Sequence, residues 1–181
     1  MEIYVMRHGT TIWNEKGITQ GRSNNHLSKD GKKLAISQSK KYKNTHFDVI
    51  YSSPLTRTFQ TAKIMNQFHN SKIIKCDLLN EIDQGIFTGR KFSSLTEEEK
   101  LLKSTKAPET KMENIEQVFE RVLKFLDIIK SKHQNQTLLI VTHNITASLI
   151  ELALSNGNIF DESFKSNCKL FQNAEIKKFK I

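Results

Sequence analysis

Four residues stand where short apolar runs give way to polar loops, and their types could bind an oxyanion and move a proton. Arg7 and His8 follow the run Ile3 to Met6. Arg57 lies one helical turn beyond Phe47 to Tyr51, and His143 follows Leu138 to Thr142. Imidazole serves as nucleophile or proton carrier near neutral pH. Guanidinium presents a planar fork of donors that matches tetrahedral oxyanions. Two of each in one cavity, with helix N-termini behind them, would hold a dianion with tetrahedral oxygens, and phosphate is the obvious candidate. Each residue alone means little, because a histidine at a strand end is most often a hydrogen-bonded loop residue. The shared placement carries the inference. His26, His46, His69 and His133 have no patterned neighbours and are read as structural.

For the four to meet, the apolar runs must be strands of one sheet that end at the same edge. Ile3 to Met6 reads as a strand feeding a polar loop from Arg7 to Asn25. Ser28 caps a helix to about Tyr42. A second strand, Phe47 to Tyr51, stops at Ser52-Ser53-Pro54, which reads as a cap with proline at the first helical position. That helix is expected to reach about Phe68, followed by a strand from Ile73 to Cys76. Between Asn80 and Lys111 the chain is broken by Gly85, Gly89 and Pro108, with one helical piece near Leu95 to Lys103. Apolar residues at helical spacing from Met112 to Lys132 predict a long helix. Leu138 to Thr142 reads as a strand buried on both faces, and Asn144 to Ser155 as a helix. Weaker strands are expected at Cys168 to Phe171 and Ile176 to Phe179. Alternating strands and helices predict an α/β fold: a three-layer α/β/α sandwich with a mostly parallel central sheet. Such sheets bind ligands beyond the carboxyl ends of their strands, where the four residues lie.

The chain has 181 residues, enough for one domain with its own core and no need of disulfide or metal staples. Its 37% apolar and 26% charged residues argue against disorder or a fibrous repeat. The formal net charge of +9 suggests an anionic partner. Only five of its 28 cations are arginine, however, and lysine is the solvated, interchangeable one. Lysines never exceed two in a row and are not interleaved with aromatics, so a nucleic-acid partner is not expected. No apolar run approaches the length of a membrane span. The opening Met-Glu-Ile-Tyr lacks the pattern of a signal peptide. Cys76 and Cys168 lie far apart with no metal-binding pattern, which fits a reducing, cytoplasmic setting and no bound metal or other cofactor.

Beyond these features the sequence resembles branch 1 of the histidine phosphatase superfamily, the phosphoglycerate mutase-like family. The resemblance begins at Arg7-His8-Gly9 with Thr11, Asn14 and Gln20-Gly21. It continues through Leu27-Ser28-x-x-Gly31 and Ser52-Ser53-Pro54-Leu55-x-Arg57-x-x-Gln60-Thr61-Ala62. It resumes at Leu79-Asn80-Glu81, Gly85-x-Phe87-x-Gly89, Val141-Thr142-His143 and Gln172-Asn173-Ala174-Glu175-Ile176. Several motifs in order over nearly the whole chain are specific where one tripeptide is not. The resemblance implies that His8 is the nucleophile and forms a phosphohistidine. It implies that Arg7, Arg57 and a protonated His143 hold the equatorial oxygens, and that Glu81 is the proton donor. Thr11, Asn14, Gln20, Gly21 and Asn144 would line the substrate site, and Arg90 would reach a second anionic group. Asp83 is the rival carboxylate. Some relatives carry an acid directly after the second histidine; here Asn144 stands there, which points to the branch whose acid comes from the middle loop. Thr10 and Phe87-Thr88-Gly89 also depart from the family pattern and alter the pocket wall.

A single histidine-phosphatase domain over 1–181 is expected, with a small helical lid insert at about 90–114. Arg90, Lys91, Lys100, Lys103, Lys106 and Lys111 alternate there with Glu97, Glu98, Glu99, Glu109 and Glu113, a mixture read as solvated helix and loop. Only 61 residues separate Glu81 from His143, shorter than the insert with which mutases of the family shield their phosphohistidine. A metal-independent phosphatase acting on a small phosphorylated metabolite is therefore expected. The alternatives are a phosphoglycerate mutase-type transfer and a weakly active module that binds phosphometabolites or phosphoproteins.

Overall fold

A computed structural model describes residues 1–160 and 170–181. Five strands form one sheet: β1 (Glu2–Arg7), β2 (Val49–Ser52), β3 (Lys72–Lys75), β4 (Thr137–Thr142) and β5 (Ile176–Lys180). Their spatial order is β3-β2-β4-β1-β5. The first four run parallel, with Ile3 beside Leu138 and Ile50 beside Leu139; β5 closes one edge antiparallel to β1. Lys177, Lys178 and Lys180 along that edge discourage pairing with another chain.

The central strands β1 and β4 are buried on both faces, as a continuous apolar run requires. Alternation sends Ile3, Val5, Leu138 and Ile140 to one side and Tyr4, Met6, Leu139 and Val141 to the other. The first set packs under α5 (Ile115–Lys132) and α6 (Asn144–Leu154), through Val122, Leu126 and Leu149 among others. The second meets Ala62 and Met65 of α3 (Thr56–Met65), alongside which lies α2 (Lys29–Lys41). These are the three expected layers. Strands ending at one edge bring Arg7, Ser52 and Thr142 together, and the chain leaves each strand there into a loop or helix.

Three local expectations need adjusting. The loop after β1 contains a short helix, α1 (Ile12–Glu15), capped by Thr11. The helix after β2 starts at Thr56, not at Pro54; Leu55 occupies the cap position with no side-chain hydrogen bond. The Ser53 hydroxyl accepts from the Leu55 N–H at 3.4 Å, ahead of the helix, and its other partners are His143 and Asn80, so it caps no helical N–H. The strand expected at Cys168 to Phe171 begins in 161–169, outside the described residues, and Leu170 and Phe171 are not in a strand. Between Arg90 and Asn114 the chain forms α4 (Glu97–Thr105) with single helical turns on either side.

Candidate active site

The site begins where two backbones touch. A Cβ on Gly9 would lie 2.5 Å from the Gly31 carbonyl oxygen, and one on Gly31 would strike the Thr10 carbonyl. Only glycines let the turn after β1 lie against the first turn of α2, which Ser28 caps through the Gly31 N–H. His8 is fixed from several directions. Its N–H donates to the Thr142 carbonyl, and its own carbonyl accepts from Ala174 N–H and from the Asn173 amide. Its Nδ1 lies 2.7 Å from the Gly9 carbonyl, an acceptor only, so Nδ1 carries the proton. Nε2 therefore holds the lone pair, and the Arg57 Nε–H, 3.2 Å away, donates to it.

Arg57 is 1% exposed. Its terminal nitrogens donate to the Ser23 and Gly21 carbonyls at 2.6 and 2.8 Å, so the polar loop anchors the guanidinium. Burial brings its pKa down to about 10 despite the nearby Glu81. It remains a cation at neutral pH. Arg7 donates to the Phe171 carbonyl, while its buried Nε has no partner in the protein.

His143, fully buried, sits edge-on to His8 with ring centroids 5.2 Å apart. Its Nε2 is 2.9 Å from the Ser53 hydroxyl, which in turn donates to the Asn80 side-chain oxygen at 3.0 Å. A hydroxyl has one proton to give, so His143 Nε2–H donates to Ser53 and Nδ1 is left without a protein partner. Burial, then the positive charge of Arg57, pushes both imidazoles well below the usual histidine range. For His8 this preserves the lone pair. For His143 it favours the neutral ring over the protonated one expected from sequence. A dianion bound between the two rings would reverse that bias, because an opposite charge favours the protonated form.

Glu81 reaches the site from a loop with little regular structure. Its carboxylate accepts from the Ile82 N–H at 3.1 Å and lies 3.5 Å from the Thr146 hydroxyl. Arg7 and Arg57 are both close enough to be felt electrostatically. The loop's own carbonyls are satisfied by side chains. Leu78 accepts from Arg121, Leu79 from Thr142, Asn80 from Thr146 and Glu81 from Arg22.

A pocket of about 170 Å³ opens here, whose wall includes Arg7, His8, Asn14, Gln20, Gly21, Arg57, Glu81 and Asn144; His143, fully buried beside His8, is not part of that wall. Ile18, Ile82 and Ile145 supply apolar wall, and Thr19 and Gln84 were not singled out from sequence. The pocket is below the ~300 Å³ of a typical small-molecule site, room for a phosphoryl group and little more. Thr11 lies behind the wall, with its hydroxyl on Gln20 and Asn14. Arg90 is outside it, forked onto Glu99 at 2.6 and 3.0 Å. Asp83 turns away, accepting from the Gly85 N–H. Two groups outside the expected set, Ser53 and Glu113, are engaged beside the site. Ser53 belongs to Ser52-Ser53-Pro54, whose pattern signals only a cap. Glu113 belongs to a charge mixture that signals solvated surface, yet its side chain is 11% exposed and pairs with both Arg22 and Arg121. Among the described residues no cluster of three or more His, Cys, Asp or Glu could hold a metal ion. No described helix is long and apolar enough to cross a membrane.

Residues 3–179 match the family model described as histidine phosphatase superfamily, branch 1. Phosphoserine phosphatase 1 of Hydrogenobacter thermophilus is 32% identical over 160 residues, spanning 85% of this chain and 76% of that one. The fold is shared with α-ribazole phosphatase from Shigella flexneri, at TM-score 0.89 and 22% identity, covering 100% of this chain and 91% of that one. Phosphoglycerate mutase from Bacillus anthracis superposes at TM-score 0.81 with 25% identity, covering 98% and 86%.

Proposed function

The chain belongs to branch 1 of the histidine phosphatase superfamily, and from that membership we propose that it hydrolyses a small phosphate monoester through a phosphohistidine on His8. The observation that carries this reading is the fixed tautomer of His8: Nδ1–H bound to the Gly9 carbonyl, with the Nε2 lone pair beside Arg57 at the pocket. Nε2 attacks phosphorus as the ester P–O bond breaks. Arg7, Arg57 and Asn14 are the donors for the equatorial oxygens, and His143 Nδ1 joins them once the ring takes up a proton on binding. Glu81, entering as the carboxylic acid, protonates the departing alkoxide. As carboxylate it then takes a proton from water, whose oxygen attacks phosphorus. The N–P bond breaks, phosphate leaves, and both Nε2 and the acid are restored.

Hydrolysis is favoured over mutase-type transfer by Arg90. A mutase must hold the second anionic group of its substrate, and Arg90, the residue assigned to that task, is forked onto Glu99. The remaining wall offers Ile18, Ile82 and Ile145 with the neutral Thr19 and Gln84 and, among the described residues, no further cation. We take 1–181 as one catalytic domain with a lid at about 90–114, acting on a small phosphorylated metabolite in a reducing, cytoplasmic setting. Turnover of p-nitrophenyl phosphate by wild type but not by His8→Ala tests the enzyme reading against a binding module. Incubation with 3-phosphoglycerate and a bisphosphoglycerate primer tests the choice of reaction: 2-phosphoglycerate appearing faster than free phosphate would overturn it. Phosphoserine, named for the Hydrogenobacter relative, belongs in the first panel of substrates.

A further inference from the structure

The loop carrying Glu81 is fastened from outside the pocket by one carboxylate. Glu113 Oε1 lies 3.0 Å from Arg22 and 3.0 Å from Arg121 Nε, and Oε2 accepts from the Asp83 N–H at 3.1 Å and from Arg121 at 3.3 Å. In return, the Glu113 N–H donates to the Asp83 carbonyl at 3.0 Å. The two arginines pass the hold onward. Arg22 Nε donates to the carbonyl of Glu81 at 3.3 Å, and Arg121 donates to that of Leu78 at 2.7 Å. Backbone on either side of Glu81 is thus tied to one largely buried carboxylate at the end of the lid segment. Gly85 shows how close the approach is: its φ is +49°, and a Cβ there would strike the Thr110 carbonyl.

We propose that Glu113 is a positioning residue for Glu81, holding the acid loop in register with His8 through Arg22, Arg121 and Asp83. The inference rests on the reading of Glu81 as the proton donor. A proton donor needs its position to within fractions of an ångström, and a loop without a hydrogen-bond ladder does not supply that by itself. Glu113 touches no reacting atom, so its effect must travel through the acid.

Leaving-group dependence separates this role from general destabilisation. A p-nitrophenolate departs without being protonated, whereas an aliphatic alkoxide does not. Glu81→Gln is measured first, and it should lower kcat/KM, which reports only formation of the phosphohistidine, far more for an alkyl phosphate such as glycerol phosphate than for p-nitrophenyl phosphate; equal losses in kcat/KM would overturn the reading of Glu81 itself. Given that selectivity, Glu113→Gln should lower kcat/KM for the alkyl ester about 10- to 100-fold while kcat/KM for p-nitrophenyl phosphate changes less than about threefold. The double variant Glu81→Gln/Glu113→Gln should be no slower than Glu81→Gln alone. Should Glu113→Gln fold poorly, Arg22→Met keeps the test open, because Arg22 is 41% exposed and tolerates replacement; it should show the same selectivity for the alkyl ester. Equal losses on both esters, or multiplicative losses in the double variant, would overturn the role of Glu113 and leave that of Glu81 standing.

Discussion

His8 and Glu81 face one pocket and are held there by opposite means. His8 is the next residue after a central strand, and mostly backbone groups fix it: the Thr142 carbonyl, the Ala174 N–H and its own neighbour Gly9, with the Asn173 amide and Arg57 guanidinium added. Glu81 follows a single helical turn, Asp77–Leu79, and its loop is fixed by side chains arriving from α5, α6, β4 and the Arg22 loop. The sheet builds the nucleophile's half as a consequence of folding at all. The acid's half needs particular arginines, threonines and a glutamate. Backbone support cannot be deleted by mutation, whereas side-chain support can, so the two halves should fail differently.

The largest effect should come from the sheet side. His8→Ala removes the group that would form the covalent intermediate and is expected to cost at least about 10³-fold in kcat, with no phosphoenzyme trapped by rapid quench. Glu81→Gln should cost about 10²- to 10⁴-fold in kcat/KM on aliphatic esters and much less in kcat/KM on p-nitrophenyl phosphate. If the two esters suffered alike, the division of labour between the halves would collapse.

Acid should strain the nucleophile's half first. His8 and His143 have folded pKa values far below the ordinary 6.5, so below that pH the unfolded chain binds protons that the native site refuses. Their contribution is present above pH 6.5 and is lost as pH falls toward the folded values, at up to about 1.4 kcal/mol per pH unit for each ring. Urea titrations at pH 7 and 5.5 should show this loss, and His8→Asn should reduce it. An unchanged slope would place the acid sensitivity elsewhere. Gly85→Ala attacks the other half, forcing a side chain into the Thr110 carbonyl at a left-handed φ. It should lower stability by about 1–3 kcal/mol in urea titration. It should also lower activity on aliphatic esters more than on p-nitrophenyl phosphate. The smallest effect should be that of Arg90→Ala, whose partner Glu99 is itself part-exposed; kcat/KM for p-nitrophenyl phosphate should move less than about threefold.

The same division governed what could be read in the sequence. Strands β1, β2 and β4 announce themselves as apolar runs, and residues at their ends share an edge by topology alone, so His8, Arg57 and His143 were legible as a group. The fastening of Glu81 was not. Arg22 is distant in sequence from Glu113 and Arg121, each of the three looks like ordinary surface charge, and the glutamate sits among four others in the lid segment. No periodicity distinguishes the one carboxylate of the five that is drawn under cover. Ser53 illustrates a subtler limit. Its position before a proline signals a helix cap, but the Asn80 side chain and His143 compete for its hydroxyl, and that competition exists only in three dimensions.

One contact described above also bears on when the site comes into being. Arg7 donates to the Phe171 carbonyl across 164 residues of sequence, and Ala174 and Glu175 complete the main-chain pairing of His8 and Arg7. A folding intermediate holding β1, β2, β3 and β4 would have every strand end in place and still lack the clasp on its nucleophile. Closure over so long a separation is slow relative to local structure. Recovery of turnover during refolding should therefore lag behind recovery of helical signal, which makes the enzyme its own reporter of the arrival of β5.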